Sequence, residues 1–352
     1  MTTQESNHHP NPNWKAIVAQ YQKPDAWRAS WQLLNTLVPY VALWVLMYFT
    51  VSVSWWLTIP LAVLAGGLII RTFIIFHDCG HGSFFKSSRA NEFWGCITGV
   101  LSFTPYHHWK WEHSVHHATT GHLERRGVGD IWTMTVEEYL KSSPWKRFAY
   151  RLARNPFVLF VIAPLYLFLV QHRIPLARAK GRAKASVWIT SLALVAMSFG
   201  LSWVFGFLPW LIIQLTILAV AGTTGVWLFY VQHQFEDAYW ENGDEWNHFD
   251  AAMKGSSYYK LPKVLQWFSG NIGFHHIHHL SSRIPNYNLE RCHHSHTMFK
   301  EVEPLTMWAS LKTLTYRLWD KNSKKLISFR QLRKNLQALE MSAAADVAKF
   351  AG

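Results

Sequence analysis

Cysteine is scarce in this chain of 352 residues, which contains only Cys79, Cys96 and Cys292. Three scattered cysteines cannot build a disulfide framework or a thiolate zinc site. Any chemistry that the chain performs must therefore come from other residue types.

The N-terminal segment, residues 1–32, lacks the features of a signal peptide. It is polar, contains Pro10, Pro12 and Pro24, and has no apolar core followed by a small-residue cleavage site. It also lacks the arginine- and serine-rich, acid-poor composition of an organelle transit peptide. The absence of a transit peptide favours a bacterial protein.

Long apolar runs are abundant. A helix needs about 20 apolar residues to cross about 30 Å of hydrocarbon, and four segments are that long: 33–51, 55–76, 186–205 and 208–230. The 20 tryptophans and 22 phenylalanines fit the aromatic belts of a protein with two membrane interfaces.

The distribution of basic residues gives an orientation. The four segments form two pairs, and the turns within the pairs contain no lysine or arginine, whereas residues 77–185 and 231–352 are rich in both. The positive-inside rule then places these two regions and both termini in the cytoplasm. For a bacterial protein this means the inner membrane.

Two further apolar stretches, residues 93–106 and 157–170, are short. Stretches of about 10–14 residues more often lie in the membrane interface or in a buried core than across a bilayer. We expect cytoplasmic-face or re-entrant helices at both, because a single crossing by either would put the histidines before and after it on opposite membrane sides.

The sequence has no internal repeat and no clean linker, so it predicts one integrated domain over residues 1–352. We expect an all-α integral membrane fold in which four transmembrane helices form two hairpins under a cytoplasmic helical cap. The basic tail, residues 321–334, is amphipathic in parts and is expected either on the membrane surface or as a solvated helix.

The high histidine content needs an explanation. There are 20 histidines, and all lie outside the four proposed spans. Residues three and four positions apart share a helix face, and three clusters have that spacing: His77 and His81; His113, His116 and His117; and His275, His278 and His279. His233 follows the fourth span as His77 follows the second, which makes it a further candidate ligand.

The remaining histidines fit this pattern less well. Expected at the surface or at an interface are His8, His9, His122, His172 and His248, which have no partner at helical spacing. The run His293, His294 and His296 lacks the paired spacing as well. His107 and His108 precede the second cluster and could line a pocket or orient ligands.

Eight or nine neutral imidazoles exceed the needs of one ion, because zinc takes about four ligands and iron about six. The sequence therefore predicts a di-metal site. Ligand chemistry alone leaves zinc, copper and iron open.

The three clusters resemble the histidine boxes of the membrane fatty acid desaturases, in particular the acyl-lipid, omega-6 or delta-12-like bacterial branch. The boxes have the sequences HDCGHGSFF at 77–85, HSVHH at 113–117 and HHIHH at 275–279. Supporting stretches are GVGD at 127–130, QHQFED at 232–237 and IPNY at 284–287. The resemblance covers residues 77–292.

This resemblance implies two non-haem ferrous ions held by the eight clustered histidines, with His233 as a ninth ligand. Where the acyl-CoA branch has an asparagine that holds a metal-bound water, this chain has Phe229, and Asn271 is a substitute candidate. Carboxylates often orient ligand histidines, and their nearness in sequence suggests Asp78, Glu112 and Asp237 for that role.

The implied function is oxygen-dependent desaturation of a fatty-acyl lipid to give a cis double bond, of the delta-12 or omega-6 type. The expected partners are the acyl lipid, dioxygen, the bilayer and a small electron carrier such as ferredoxin or flavodoxin, with no nucleic acid. The net charge of +13 fits docking of an acidic carrier, but it fits the positive-inside bias equally well.

Two other functions stay open. A hydroxylase, ketolase or conjugase could use the same scaffold. A histidine-rich metal-binding or transport protein is the more distant alternative, although the proposed spans lack the polar ligands that usually mark an ion path.

Overall fold

The structure is a computed structural model that describes residues 13–350, with side chains described as far as residue 344. His8 and His9, for which a surface position is expected, lie outside the described residues. The described part of the chain forms seventeen α-helices: α1 (Trp14–Ala19), α2 (Ala26–Thr50), α3 (Trp55–His81), α4 (Ser88–Leu101), α5 (Tyr106–Thr119), α6 (Val136–Lys141), α7 (Pro144–Ala153), α8 (Ala163–Leu169), α9 (Gly181–Phe205), α10 (Phe207–His233), α11 (His248–Met253), α12 (Lys263–Phe268), α13 (His275–Leu280), α14 (Asn286–Ser295), α15 (Thr297–Lys300), α16 (Met307–Lys312) and α17 (Phe329–Phe350).

Short irregular helices and strands complete the described chain. A π-helical turn covers Val158–Ile162, and 3-10 turns cover Gln171–Arg173 and Thr313–Thr315. The strands are β1 (Met134–Thr135), β2 (Tyr258–Lys260), β3 (Pro304–Thr306), β4 (Leu318–Asp320) and β5 (Lys325–Ile327). Parallel pairing joins β1 to β4 and β2 to β3, whereas β4 and β5 are antiparallel.

Four helices, α2, α3, α9 and α10, are long and apolar enough to cross a membrane, which confirms the four predicted segments. Each helix is longer than its predicted span, because α2 already begins at Ala26 and α3 continues through His81. Hydropathy marks only the part of a helix that lies in hydrocarbon, whereas backbone hydrogen bonding continues into the polar ends.

The stretch at 157–170 belongs to a bent helical pair. Pro144–Ala153 and Val158–Arg173 meet at 61° and would together be long and apolar enough for a fifth span. If α9 and α10 each cross the membrane, a further crossing by this pair would place His116 and His233 on opposite sides. Their ring centroids lie 4.9 Å apart, which favours the expectation of a re-entrant or cytoplasmic-face pair.

The tail and the cap differ in part from the expectation. Residues 318–327 form a β-hairpin, and helix α17 begins only at Phe329. The side chain of Asp320 accepts hydrogen bonds from the Asn322 amide and the Ser323 hydroxyl. Such a side chain competes with helical hydrogen bonding and favours a turn, so the first half of the tail is not helical, and the cap contains two small sheets beside its helices.

Close packing of α3 against α10 fixes the position of the site. A Cβ atom added at Gly66 would lie 2.7 Å from Val220 Cβ and 3.1 Å from the Ile217 carbonyl oxygen. Only a glycine allows this approach. The two helices end in His81 and His233, so their contact brings candidate ligands from distant parts of the sequence to one end of the bundle.

We expect Gly66→Ala to destabilise the protein. The added methyl group has no space between α3 and α10, and overpacking of this kind costs about 1–3 kcal/mol. Thermal unfolding in detergent should therefore begin at a lower temperature than in the wild type.

Gly200→Ala is the matched control, because no atom lies within 4 Å of a Cβ added there. Alanine favours a helix over glycine by about 1 kcal/mol, so this variant should be as stable as the wild type or more so. Equal unfolding temperatures for the two variants would contradict the packing argument.

Candidate metal centre

Three helices present the clustered histidines from their ends. His77 and His81 lie on the last turn of α3, which ends at Gly82 with a φ of 70°. This left-handed conformation suits glycine and terminates the helix directly after the second histidine. The other clusters lie on the second half of α5 and along the short helix α13.

The structure brings the predicted histidines into two adjacent groups. One group consists of His77, His81, His113, His117 and His278, and the other of His116, His233 and His279. Within each group the potential ligand nitrogens all lie within 4.8 Å of one another. Both groups contain histidines of α5 and α13. The groups are adjacent, because the ring centroids of His117 and His279 are 4.2 Å apart.

His275 lies beside the second group. Its Nε2 atom is 3.0 Å from His233 Nε2, and its ring centroid is 4.5 Å from that of His279. All nine predicted histidines therefore lie in one contiguous cluster. His275 is the one member that belongs to neither of the two groups.

The contacts inside the cluster are unusual for uncharged rings. His117 Nε2 lies 3.1 Å from His113 Nε2 and 3.0 Å from His278 Nε2. A neutral imidazole has one N–H and one acceptor nitrogen, so a single nitrogen cannot make good hydrogen bonds to both neighbours. One cation between the lone pairs would satisfy all three rings.

Several cluster nitrogens lack a hydrogen-bond partner among the described residues. These buried atoms are the Nε2 atoms of His81, His116 and His279 and the Nδ1 atoms of His275 and His278. An unsatisfied buried polar group costs about 1–3 kcal/mol, and one accepted explanation is an ion. The donor set therefore fits metal ions that bind imidazole.

The protonation state of the cluster also suits metal binding. Burial first, and next the neighbouring imidazoles, lower the pKa of His113, His117 and His278 well below the ordinary histidine value. The same two causes lower the pKa of His275 and His279. Neutral imidazole is the form that coordinates metals.

Asp130 orients His116. Its Oδ1 atom lies 2.6 Å from His116 Nδ1, and its Oδ2 accepts a hydrogen bond from the Gly127 amide. Burial by itself would raise the pKa of Asp130, but its contact with His116 and the hydrogen bond from the Gly127 amide hold this pKa below the usual value. His116 Nε2 then faces the cluster with its lone pair.

The close approach of this loop depends on Gly129. Its φ is 74°, and a Cβ atom there would lie 3.1 Å from His116 Cβ. A larger residue would be strained and would push Asp130 away from the ring.

Asp78 performs the corresponding task for His77. Its Oδ1 atom is 3.0 Å from His77 Nδ1, and its Oδ2 accepts hydrogen bonds from the backbone and side-chain amides of Asn286. Asn286 in turn accepts from Gln32 and, through its carbonyl, from Asn271. The contact of Asp78 with His77 agrees with the role expected for Asp78. Asn271 takes part in the same hydrogen-bond network through Asn286.

His233 is held from the backbone, because its Nδ1 atom lies 3.3 Å from the Gly255 carbonyl oxygen. No side-chain pattern in the sequence indicates such a contact. Asp130 and Asn286 lie in stretches that resemble the family, GVGD and IPNY, but the sequence alone did not assign them an orienting role.

Other predicted residues have different partners. Glu112 Oε2 is 3.1 Å from His108 Nδ1, and His107 pairs with Glu92. Asp237 is 70% exposed in its side chain and pairs with Lys325. Within the described part of the chain neither carboxylate contacts a clustered histidine, so the expectation that Glu112 and Asp237 orient ligands is wrong: nearness in sequence did not mean nearness in space.

The unclustered histidines also differ from expectation in part. His122 and His172 are only 5% and 6% exposed, so of the two expected positions, the surface or an interface, the surface is excluded for both, whereas His248 is exposed. His293 Nδ1 lies 3.1 Å from His276 Nε2, and this pair is outside both groups.

A cavity of about 750 Å³ reaches the cluster from the membrane part of the fold. At the cluster it is lined by His77, His113 and His275, and farther away by apolar residues of α3, α8 and α10. Phe229, whose ring centroid is 5.2 Å from those of both His116 and His233, forms part of the apolar wall. The volume and largely apolar lining of this cavity suit an apolar molecule.

We expect Asp130→Asn to weaken metal binding, because the neutral amide is a poorer acceptor for His116 Nδ1–H. Loss of such an orienting carboxylate typically lowers metal affinity by about 10–100-fold. The measurement is metal retained per chain after dialysis against graded chelator concentrations.

Asp237→Asn is the control, since that carboxylate contacts Lys325 at the surface. It should retain metal as the wild type does. Equal retention by the two variants would mean that Asp130 does not support the site.

Comparison with known proteins agrees with this geometry. The profile of the family described as Fatty acid desaturase matches residues 54–309, more than half of the chain. A "Fatty acid desaturase" of Bacillus subtilis (strain 168) is 45% identical over 331 residues, 94% of either protein.

Two relatives from Synechocystis sp. have more specific names. The "sn-1 acyl-lipid omega-3 desaturase (ferredoxin)" is 30% identical over 252 residues, 68% of this chain and 67% of the relative. The "sn-1 oleoyl-lipid 12-desaturase" is 26% identical over 277 residues, 73% of this chain and 71% of the relative. With the family profile and the extent of these matches, the chain belongs to the fatty acid desaturase family of oxidoreductase enzymes.

Proposed function

We propose that this protein introduces a cis double bond into a fatty-acyl chain of a membrane lipid, using dioxygen and a histidine-bound pair of iron ions. The observation that carries this proposal is that His77, His113 and His275 of the histidine cluster line a largely apolar cavity. A reactive centre beside such a cavity is what oxidation of an unactivated hydrocarbon requires.

Each imidazole group would hold one ion. His77, His81, His113, His117 and His278 would hold the first, and His116, His233, His275 and His279 the second. Iron is proposed over zinc because zinc has no redox chemistry, and bound iron would supply the reaction with dioxygen that no side chain can provide.

The side chains around the groups have three tasks. Asp130 and Asp78 keep the Nδ1 atoms of His116 and His77 protonated, so that their Nε2 lone pairs point inward. Backbone support at Gly255 does the same for His233. Apolar residues, including Phe73 and Phe229, line the cavity and would keep bulk water away from the acyl chain.

The cavity also explains how one position on a chain of equivalent methylenes can be selected. Those methylenes differ only in their distance from the two chain ends. An apolar cavity that passes His77, His113 and His275 would hold the chain in one register against the metal centre.

A small electron carrier such as ferredoxin or flavodoxin is proposed as the reductant. Support comes from the Synechocystis relative, whose name specifies ferredoxin, and from the net charge of +13, which would attract an acidic carrier. We place both termini in the cytoplasm and the protein in a bacterial inner membrane, where the carrier has access to the clustered histidines.

We further propose a double bond of the delta-12 or omega-6 type. The relative named as an oleoyl-lipid 12-desaturase supports this position. A hydroxylase, ketolase or conjugase would use the same site with a different product, so product analysis is the decisive measurement.

We expect His116→Ala to lose iron and nearly all desaturation. This ring belongs to the second group and is held by Asp130, so its removal opens one ion's ligand set. Elemental analysis of purified protein should show two irons per chain in the wild type, one for each group, and fewer in the variant.

His294→Ala is the matched control, because His294 is exposed and lies outside both groups. It should keep wild-type iron and activity. Full activity in a protein that contains zinc and no iron would rule out the iron proposal.

Expression in a host that makes only monounsaturated chains tests the reaction itself. We expect a second cis double bond in lipid-bound chains, located by mass spectrometry of derivatised acyl groups at the delta-12 position. A hydroxyl or keto product would overturn desaturation, and a double bond elsewhere would overturn the proposed position.

A further inference from the structure

We propose that Gly225 determines which acyl-chain lengths the protein accepts, because its missing side chain keeps open the cavity branch that receives the methyl end of the substrate. This inference rests on the proposed function and adds a specificity-determining residue to it. Gly225 lies on α10 and lines the cavity.

The residues that line the cavity differ in polarity between two parts of the fold. Glu112, Gln171 and Arg178 line it outside the four long apolar helices. Ile69 and Leu218 line it within the long helices α3 and α10, and this part of the cavity is the apolar branch. An acyl lipid has the same asymmetry, since its carrier is polar and its methyl end is not. Placing the methyl end in the apolar branch avoids burial of a polar carrier.

One face of α10 forms the floor of this branch. The cavity-lining positions on the helix are Leu218, Ala221, Gly222, Gly225, Val226, Leu228, Phe229 and Gln232. Among them Leu218, Gly222, Gly225, Phe229 and Gln232 repeat at intervals of three and four residues and therefore share a face. Gly225 precedes His233 by eight residues, about 12 Å along the helix axis at 1.5 Å per residue. It thus lies part of the way from the histidines to the end of the branch.

The two glycines on this face have different surroundings. A Cβ atom at Gly222 would lie 3.0 Å from Pro164 Cβ and 3.5 Å from Phe168 Cδ2, so Gly222 allows α8 to pack on α10. At Gly225 no atom lies within 4 Å of an added Cβ. A side chain at position 225 therefore meets no wall and would project into cavity space.

Gly225→Leu should consequently shorten the apolar branch without disturbing helix packing. A chain that no longer fits must leave its terminal methylenes unburied or withdraw from the histidines. One methylene in an apolar pocket is worth about 10–200-fold in discrimination, so a shift of about tenfold or more in preference toward shorter chains is expected.

The test uses the full-length protein expressed in a host without a desaturase of its own, fed myristoleic, palmitoleic and oleic acids together. Gas chromatography with mass spectrometry gives the fraction of each chain length that carries a second double bond. The ratio of doubly unsaturated chains made from oleic acid to those made from myristoleic acid is internal to each culture and does not depend on expression level.

Gly225→Leu should lower this ratio about tenfold or more, and Gly225→Ala should lower it by less. Gly200→Leu is the control for a leucine in place of a helical glycine, since position 200 also has no atom within 4 Å of an added Cβ and does not line the cavity. This control should keep the wild-type ratio.

The inference is overturned if both active Gly225 variants keep the wild-type ratio, or if Gly200→Leu shifts it equally. If Gly225→Leu is inactive, the ratio in Gly225→Ala decides by the same criterion. A wild-type protein that adds no second double bond to any of the three chains would instead refute the proposed function.

Discussion

The convergence of uncharged imidazoles at one end of the helix bundle is the constraint on which the rest of the structure depends. Rings from α5, α10 and α13 meet with nitrogens 3.0–3.1 Å apart, and the ring centroids of His77 and His81 on α3 lie 4.4 and 5.0 Å from that of His278. Burial keeps these rings neutral, as the low pKa values of His113 and His278 indicate, and neutral rings so arranged present lone pairs toward one another. Burial of facing lone pairs costs free energy without a cation, and a bound cation removes that cost. The cluster is therefore arranged to bind metal ions.

The surrounding structure can be understood as support for that cluster. Gly66 lets α3 approach α10, which places His81 near the end of α10. Gly129 lets a loop approach α5, which places Asp130 against His116. Asn286, held by Gln32 from the first long helix, fixes Asp78. Helix ends, a loop and a distant segment thus restrain rings that the sequence merely spaces correctly.

The same helices that hold the cluster also form the cavity. The end of α10 carries His233, while an earlier part of the same helix lines the apolar branch through Leu218 and Gly225. Because α10 carries both features, the distance between the metal centre and the far part of the apolar branch is fixed by one helix. In such an arrangement, a single side chain far from the metal ligands can change which substrate atoms reach them.

Much of this architecture follows from the sequence by itself. Long apolar runs determine the four spans, because only about 20 apolar residues in a helix can satisfy the backbone across hydrocarbon. Spacings of three and four determine which histidines share a helix face. Tertiary structure alone decided how the rings pair with carboxylates: Asp237 follows His233 closely in sequence but lies at the surface, whereas Asp130 is separated from His116 by a glycine-rich loop that folds back on it. Hydropathy and helical periodicity act along the chain, but the Gly255 carbonyl, Asn286 and the space at Gly225 acquire their roles only when distant segments pack together.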